Sequence, residues 1–234
     1  DLRTEEGRAT LKAMLPHFDV LVENFRPGTL DGWGLSKEIL WACQPNLKIL
    51  RVTGFGQTGP MKDLPAFARV FEAMAGLTYI TGEADGEPMH AGYPIGDMIG
   101  GLFGALSILA ACFRAGEAPS GPEEIDLSLA EAVLRLLEFL PIEYDQLGIV
   151  RQRTGNRNQY SAPSAVYRTQ DDKWVTLAGS TNAIFRNNCR AIGQEALADD
   201  PRFATNAMRV THANELNGIF AQFCAEHDQD TVLA

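Results

Sequence analysis

The sequence predicts an α/β fold, with a parallel sheet in the first half of the chain and a smaller α/β unit in the second. A strand, a helix and another strand are predicted over 19–24, 35–43 and 47–53. This order is typical of a βαβ unit, whose two strands run parallel. Further along, two alternating segments at 165–169 and 174–178 flank a polar turn and predict a β-hairpin.

The composition narrows the class of protein. The 234 residues are 45% hydrophobic, and 20 Lys and Arg stand against 30 Asp and Glu, which gives a net charge of −10. We therefore expect no nucleic-acid surface, because such a surface needs clustered basic residues. The sequence has no run of 18 apolar residues and no signal-like start, so we expect a cytoplasmic protein with no membrane partner. The scattered Cys and His residues predict reduced thiols and no metal site.

The first elements are bounded by recognisable signals. Thr4 precedes two glutamates and predicts the N-cap of a helix over 4–15. The strand over 19–24 ends in the turn Arg26-Pro27-Gly28, and Pro45-Asn46 closes the helix over 35–43. These signals support the βαβ unit.

A glycine-rich loop follows the second strand. Residues 54–59 read G-F-G-Q-T-G, which has the spacing of a dinucleotide-binding loop. That function requires a helix to begin within the loop, and Pro60 and Pro65 argue against one here. We therefore interpret the loop as a tight turn at the end of a strand, where α/β sheets border ligand crevices.

The middle of the chain predicts three helices. The first spans 67–77, and the second follows Asp97, with its apolar residues at helical spacing at 99, 102, 103, 106, 109 and 113. The segment 115–124 is predicted to be a surface linker. Ser128 and Glu131 then form a capping box that opens a third helix, which extends to about Leu140.

The second half is predicted to form its own domain. The polar, basic segment 144–160 marks the boundary, so we assign 1–145 to a large domain, 146–160 to a linker and 161–234 to a small domain. After the hairpin, the residues from 182 onward predict amphipathic helices.

Asp97 is the acidic residue with the most open surroundings. It is predicted to lie immediately before a helix, so the ordinary interpretation is an N-cap. Glycines surround it at 92, 96, 100 and 101, which leaves room for a ligand to reach the carboxylate. An ionised carboxylate with such access can attack an acyl group. His90 lies nearby and is either a proton carrier or simply solvated.

Several segments, in order along the chain, resemble the family III CoA-transferases, which are also called the CaiB/BaiF family. The motifs are VENFRPG over 22–28, GFGQTGP over 54–60, GD followed by GGL over 96–102, DLSLAE over 126–131, RTGNR over 153–157 and DPRF over 200–203. The resemblance covers essentially the whole chain.

This resemblance implies a Rossmann-like large domain, a smaller α/β domain and an interlocked homodimer. It also implies that Asp97 attacks an acyl-CoA thioester, so that coenzyme A moves to a carboxylic acid acceptor through a covalent aspartyl intermediate. Coenzyme A enters as part of the substrate, and no bound cofactor is implied. The residues that match CoA-contacting positions of the family are Arg3, Asn24, Phe25, Arg26, Leu64, Pro65, Ala66, Phe67 and Ala68.

The sequence departs from the family pattern in three places. It begins at the equivalent of an internal helix and stops within the small domain, so it resembles a fragment of a longer protein. Gly32 stands where a family member can carry an arginine that reaches CoA, and Pro65 stands where a lysine can occur. Arg3, Arg26 and Arg51 are possible substitutes, because guanidinium groups suit phosphate.

Two other functions are compatible with the sequence. α-Methylacyl-CoA racemases share the fold, but their catalytic histidine would fall at Phe67, and their supporting glutamate would fall near Ser180 and Thr181. A phenylalanine cannot carry a proton, which favours the transferase. The other alternative is a catalytically silent binding subunit.

Overall fold

The computed structural model describes residues 1–115 and 121–234. These residues form two compact units. The first comprises 1–81 and 88–152, and the second comprises 82–87 and 153–234. One division between the units, at 152–153, falls within the predicted linker over 146–160. Residues 82–87, which the sequence assigned to the large domain, group instead with the second unit.

The first unit contains a parallel sheet of three strands in the order β1-β2-β3. The strands are β1 (Val20–Glu23), β2 (Lys48–Thr53) and β3 (Glu123–Ser128). The predicted βαβ unit is confirmed, since β1 and β2 pair in parallel with Leu21 opposite Ile49.

Strand β3 was not predicted. Only part of it is apolar, because Glu123, Glu124 and Asp126 interrupt the pattern that would have indicated a buried strand. In the structure the Glu124 carboxylate lies 2.8 Å from Nε of Arg51 and 2.7 Å from Nζ of Lys37. The charge at this position is therefore compensated from β2 and from the helix Lys37–Cys43.

The first unit also contains eight α-helices in the part of the chain that the structure describes. They are α1 (Glu5–Met14), α2 (Thr29–Gly32), α3 (Lys37–Cys43), α4 (Ala68–Met74), α5 (Leu77–Ile80), α6 (Ile95–Ala115), α7 (Leu129–Leu136) and α8 (Leu140–Leu147).

The N-caps predicted at Thr4 and Ser128 are confirmed. The Thr4 hydroxyl accepts a hydrogen bond from Gly7 N at 3.1 Å, and the Ser128 hydroxyl accepts one from Glu131 N at 3.3 Å. The helix predicted to run to Leu140 instead ends at Leu136, and the backbone at Glu138 is left-handed with φ of 31°. A second helix then continues to Leu147.

Other predicted boundaries also shift. The helix predicted over 67–77 ends at Met74, because Gly76 adopts φ of 96° and separates α4 from α5. Strand β3 begins at Glu123, inside the predicted linker over 115–124. The linker residues 116–120 lie outside the described part of the chain.

Helix α6 packs against the sheet through its small residues. A Cβ at Gly104 would lie 3.0 Å from Leu50 Cδ2 and 3.3 Å from Leu127 Cδ2, so the helix backbone closely approaches β2 and β3. Larger apolar residues on the helix are mostly exposed. Over Ile95–Arg114 the helix is long and apolar enough to cross a membrane by length and composition, with a mean hydropathy of 1.8.

The second unit is built on the predicted hairpin, which is confirmed. Strands β4 (Ser164–Arg168) and β5 (Trp174–Ala178) pair antiparallel. The helices are α9 (Asn182–Ala191), α10 (Asn206–Thr211), α11 (Ala213–Glu226) and α12 (Gln229–Leu233). The core includes Tyr167, Phe185, Phe203 and Phe220.

A buried arginine connects several loops of this unit through hydrogen bonds. Arg209 is fully buried, and its guanidinium donates to the carbonyls of Ala162 at 2.8 Å and Ser180 at 3.1 Å and to Asn182 Oδ1 at 2.9 Å. It also lies over the ring of Phe185. Burial lowers the pKa of Arg209.

Candidate functional site

Asp97 lies in the first turn of α6 and not immediately before the helix. The prediction of an N-cap position was therefore wrong, because the helix already begins at Ile95. No hydrogen bond reaches the Asp97 carboxylate from the residues that the structure describes. The side chain is exposed and lines a cavity of about 850 Å³. It is therefore open to a ligand, as the surrounding glycines predicted.

Two glycines beside Asp97 are closely packed by neighbouring helices. A Cβ at Gly96 would overlap the ring of Phe71 on α4, and a Cβ at Gly100 would overlap Leu129 on α7. Larger side chains at these positions would push α6 away from its neighbours. The glycines thus let two helices hold the turn that carries Asp97, in addition to clearing space around it.

A second cavity, of about 360 Å³, lies at the turn after β1. Its lining comprises Asn24, Phe25, Arg26, Pro27, Thr53, Gly54, Lys62, Leu64, Pro65, Ala66 and Phe67. The structure thus brings together seven of the nine residues that the family resemblance assigned to CoA. An eighth, Ala68, lines the Asp97 cavity.

The turn that forms this second cavity is shaped by a buried carboxylate. Glu23, at the end of β1, accepts a hydrogen bond from Phe25 N at 2.8 Å. Burial raises the pKa of Glu23, while this backbone bond and the neighbouring Arg51 oppose the increase. Phe25 packs edge-on against Trp33, with ring centroids 5.2 Å apart.

The two cavities share part of their lining. Five residues border both of them, and we call this group the neck: Asn24, Thr53, Gly54, Ala66 and Phe67. Gly54 has no room for a side chain, because a Cβ there would meet the Cβ of Ala66. A ligand that occupied both cavities would therefore pass close to the backbone at the end of β2.

Two residues of these cavities were missed by the sequence analysis. Thr53 in the neck is 8% exposed, and its hydroxyl has no hydrogen-bond partner in the part of the chain that the structure describes. Lys62 lines the second cavity beside Arg26. The position of Thr53 at the end of a predicted parallel strand was the available signal. No local pattern distinguishes Lys62.

The other basic candidates have different surroundings. Arg3 lines neither cavity, and its guanidinium pairs with Asp1 at 2.8 Å. Arg51 is buried on β2, where it contacts Glu23 at 3.4 Å and Glu124 at 2.8 Å. Arg26 donates to Asp63 O at 3.4 Å and keeps its place in the second cavity. Gly32, in α2, lines neither of the two.

The glycine-rich loop follows the end of β2, and no helix begins within it, as predicted. Gln57 N donates to both carboxylate oxygens of Asp126, at 2.9 and 3.0 Å, which fastens the loop to β3. The next helix begins only at Ala68, so no helix N-terminus opens within the loop.

His90 lies outside the lining of both cavities. Its Nδ1 is 3.3 Å from Thr78 Oγ1 and 4.0 Å from a carboxylate oxygen of Glu72. Among the described residues, no group of three or more His, Cys, Asp or Glu side chains is arranged to hold a metal ion.

Comparison with known proteins places these residues in a family context. The model of CoA-transferase family III matches residues 1–234. The succinyl-CoA–D-citramalate CoA-transferase of Chloroflexus aurantiacus is 42% identical over 98% of this chain and 57% of its own length. The acetyl-CoA:oxalate CoA-transferase of Acetobacter aceti is 36% identical over 92% of this chain and 55% of its own length. The chain thus spans little more than half of these relatives.

Solved structures show the same fold. A CaiB/BaiF family protein from Brucella suis superposes with a TM-score of 0.84 and 30% identity, covering 100% of this chain and 61% of that protein. A hypothetical protein from Mycobacterium tuberculosis superposes with a TM-score of 0.87 at 24% identity, covering 100% of this chain and 62% of its own. The predicted α/β class is therefore confirmed.

Proposed function

Because the chain belongs to CoA-transferase family III, we propose that it transfers coenzyme A from an acyl-CoA to a carboxylic acid, with Asp97 as the nucleophile. The observation that supports this function is the neck between the two cavities. It joins the turn that carries Arg26 to the cavity that holds an open carboxylate. An extended thioester fits this arrangement, with its anionic end beside Arg26 and Lys62 and its reacting carbon beside Asp97.

The chemistry needs only a carboxylate and the two substrates. An oxygen of Asp97 attacks the thioester carbon, the carbon–sulfur bond breaks, and coenzyme A leaves as a thiolate, which gives a mixed anhydride. The thiolate then attacks the aspartyl carbonyl and releases the first acid, which leaves an aspartyl thioester. The acceptor carboxylate attacks this thioester, the carbon–sulfur bond breaks, and coenzyme A leaves again as a thiolate, which gives a second anhydride. The thiolate finally attacks the acyl carbon of the acceptor, which gives the new acyl-CoA and regenerates the Asp97 carboxylate.

The lining of the cavities supports transfer over racemisation. A racemase needs a second proton-carrying group at the α-carbon, and no histidine among the described residues lines either cavity. Phe67, at the position of the racemase histidine, borders both cavities as part of the neck. It offers an apolar surface to the substrate and no proton.

The substrates and the assembly are also proposals. Relatives named for citramalate, glutarate and oxalate suggest small carboxylic acids as acceptors and acyl-CoA thioesters as donors. We propose that the protein works as a homodimer in the cytoplasm, without a bound cofactor. The exposed apolar residues of α6 supply a surface for such an assembly.

Asp97→Asn tests the nucleophile in the complete protein. The substitution keeps the size of the side chain at an exposed position, so the free energy of unfolding should change by less than about 1 kcal/mol. A carboxamide is a poor nucleophile, so CoA transfer should fall by several orders of magnitude. Incubation of the wild type with acyl-CoA and hydroxylamine should leave a hydroxamate on Asp97, seen by intact mass and peptide mapping.

Asp85→Asn provides a matched control, because it removes an exposed carboxylate from a position outside both cavities. This variant should keep wild-type turnover. If Asp97→Asn retained more than about a tenth of the wild-type rate, Asp97 would not be the nucleophile. A wild-type protein with neither turnover nor adduct across a panel of acyl-CoA donors would support the silent binding subunit.

A further inference from the structure

A buried carboxylate that the proposed chemistry does not use lies behind Asp97. Glu72 is on α4, and its side chain is only 3% exposed. Its Oε1 accepts a hydrogen bond from Gly96 N at 2.9 Å, and Gly96 is the residue directly before Asp97. Burying a carboxylate that has no partners costs free energy. The contacts of the Glu72 side chain must therefore stabilise it in this position.

The carboxylate of Glu72 gives the Gly96 N–H group a hydrogen-bond acceptor, which the start of a helix lacks. The first four backbone N–H groups of a helix have no partner within it, and a side chain just before the helix usually accepts from one of them. In α6 the acceptor comes instead from α4, a separate helix. A carboxylate is suited to this place, because the N-terminus of a helix carries partial positive charge.

The neighbour of Glu72 holds the same glycine by packing. The ring of Phe71 occupies the space that a Cβ at Gly96 would need, and Phe71 is itself almost fully buried. Two consecutive residues of α4 thus fix Gly96, one through an apolar contact and the other through a hydrogen bond. The exposed carboxylate of Asp97 follows directly on this fixed backbone.

A histidine lies near the other carboxylate oxygen of Glu72. Its Oε2 lies 4.0 Å from His90 Nδ1, and His90 also contacts Thr78. The carboxylate is therefore placed between the loop that leads to α6 and the first turn of that helix.

We propose that Glu72 is a positioning residue, which holds the first turn of α6 so that the Asp97 carboxylate faces the neck. The proposal rests on the proposed function, since a nucleophile needs a fixed approach to the thioester carbon. A misplacement of about 1 Å at a reacting group can lower a rate roughly 100-fold. The hydrogen bond from Gly96 N to Glu72 lies one residue from Asp97, so we expect its loss to displace the Asp97 carboxylate.

Two substitutions in the complete protein separate the acceptor oxygen from the volume of the side chain. Glu72→Gln keeps an oxygen that can accept from Gly96 N, whereas Glu72→Met has similar length and no such acceptor. We expect Glu72→Met to lower kcat by about 10- to 100-fold, with KM for acyl-CoA within about twofold. Glu72→Gln should restore kcat to within about threefold of the wild type.

Hydrogen exchange supplies a measurement that needs no substrate. In Glu72→Met, amide exchange should accelerate at least about tenfold in a peptide covering 95–101, and Glu72→Gln should leave it near the wild-type rate. Thr205→Ala is the control for general destabilisation, because Thr205 caps α10 in the second unit. It should lower the melting temperature and leave kcat and the exchange of 95–101 unchanged.

The outcomes distinguish this proposal from the proposed function. Wild-type kcat and wild-type exchange in Glu72→Met would overturn the positioning role, as would equal losses of kcat in the Met and Gln variants. If Glu72→Met does not fold, Glu72→Asp replaces it, since its carboxylate is one methylene too short to reach Gly96 and should give the same losses. If the wild type transfers no coenzyme A, the proposed function fails, and the exchange data still decide whether Glu72 holds this turn.

Discussion

The buried hydroxyl of Thr53 has a functional explanation at the scale of the single residue. It lies in the neck, and no residue that the structure describes accepts from or donates to it. An unsatisfied buried polar group costs roughly 1–3 kcal/mol, so a folded protein seldom keeps one without a reason. A substrate that passes through the neck would supply the missing partner.

Thr53→Val tests this explanation, because valine has the same shape and no hydroxyl. We expect an unchanged or higher melting temperature, since the unsatisfied group is removed. The KM for acyl-CoA should rise by roughly twofold to tenfold, which corresponds to the loss of one neutral hydrogen bond. Thr211→Val is a control outside the site, because its hydroxyl donates to Ala207 O within α10. A wild-type KM in Thr53→Val would show that the substrate does not use this hydroxyl.

Individual residues of the candidate site could be predicted where they belong to a local sequence motif. The turn Asn24-Phe25-Arg26 and the openness of Asp97 could be inferred from sequence, because glycines and turn residues act on their near neighbours. Lys62 and Glu72 could not be inferred in this way. Their neighbours, Arg26 and Gly96, are distant in sequence, and only the packing of α4 and the preceding loop brings them together.

At the scale of the element, the hairpin of the second unit contains a carboxylate that should make its stability sensitive to acid. Asp171, in the turn between β4 and β5, is 2.8 Å from Lys173 Nζ and accepts from Thr169 Oγ1 at 2.7 Å and from Gln229 N at 3.0 Å. The hydrogen bond from Lys173 is the largest cause that lowers the pKa of Asp171 from 3.8 to about 2. The carboxylate therefore favours the folded state only while it is ionised.

The expected pH dependence follows from the direction of this shift. A lowered pKa stabilises the folded protein above the unfolded value of 3.8, and the stabilisation is lost as the pH falls toward about 2. In urea unfolding at pH 5, 4 and 3, the difference between wild type and Asp171→Asn should shrink steadily. Asp172→Asn alters the same turn and serves as the control. A difference that stays constant over this range would exclude Asp171 as the source of the acid sensitivity.

A helix or strand could be predicted from sequence where its pattern of apolar and polar residues is not interrupted. The βαβ unit, the hairpin and the capped start of α7 are confirmed because each carries a local signal. Strand β3 was missed because acidic residues interrupt its apolar pattern, and the charge of one of them, Glu124, is compensated by Arg51 and Lys37, which lie elsewhere in the sequence. The start of α6 at Ile95 was missed because its first turn contains Gly96, and its acceptor comes from α4.

At the scale of the whole molecule, the outward face of α6 indicates that further protein covers it. Leu102, Leu106 and Leu109 are 66%, 61% and 66% exposed. They recur at helical spacing, so they form one apolar strip on the helix. The opposite side of α6 lies against β2 and β3, through Gly104. Exposed apolar patches of this kind mark contacts with other proteins, so we propose that the strip is the surface through which the proposed homodimer forms.

Substitution within this strip tests the proposed assembly. Light scattering of the complete protein at micromolar concentration should give the mass of a dimer, and Leu106→Asp should shift the mass toward the monomer because it places a charge in an apolar interface. Leu147→Asp is a matched control, since Leu147 is 68% exposed on α8, outside the strip, and this variant should keep the dimer. A monomeric wild type, or flotation of the wild type with lipid vesicles in place of self-association, would contradict coverage of α6 by a second copy.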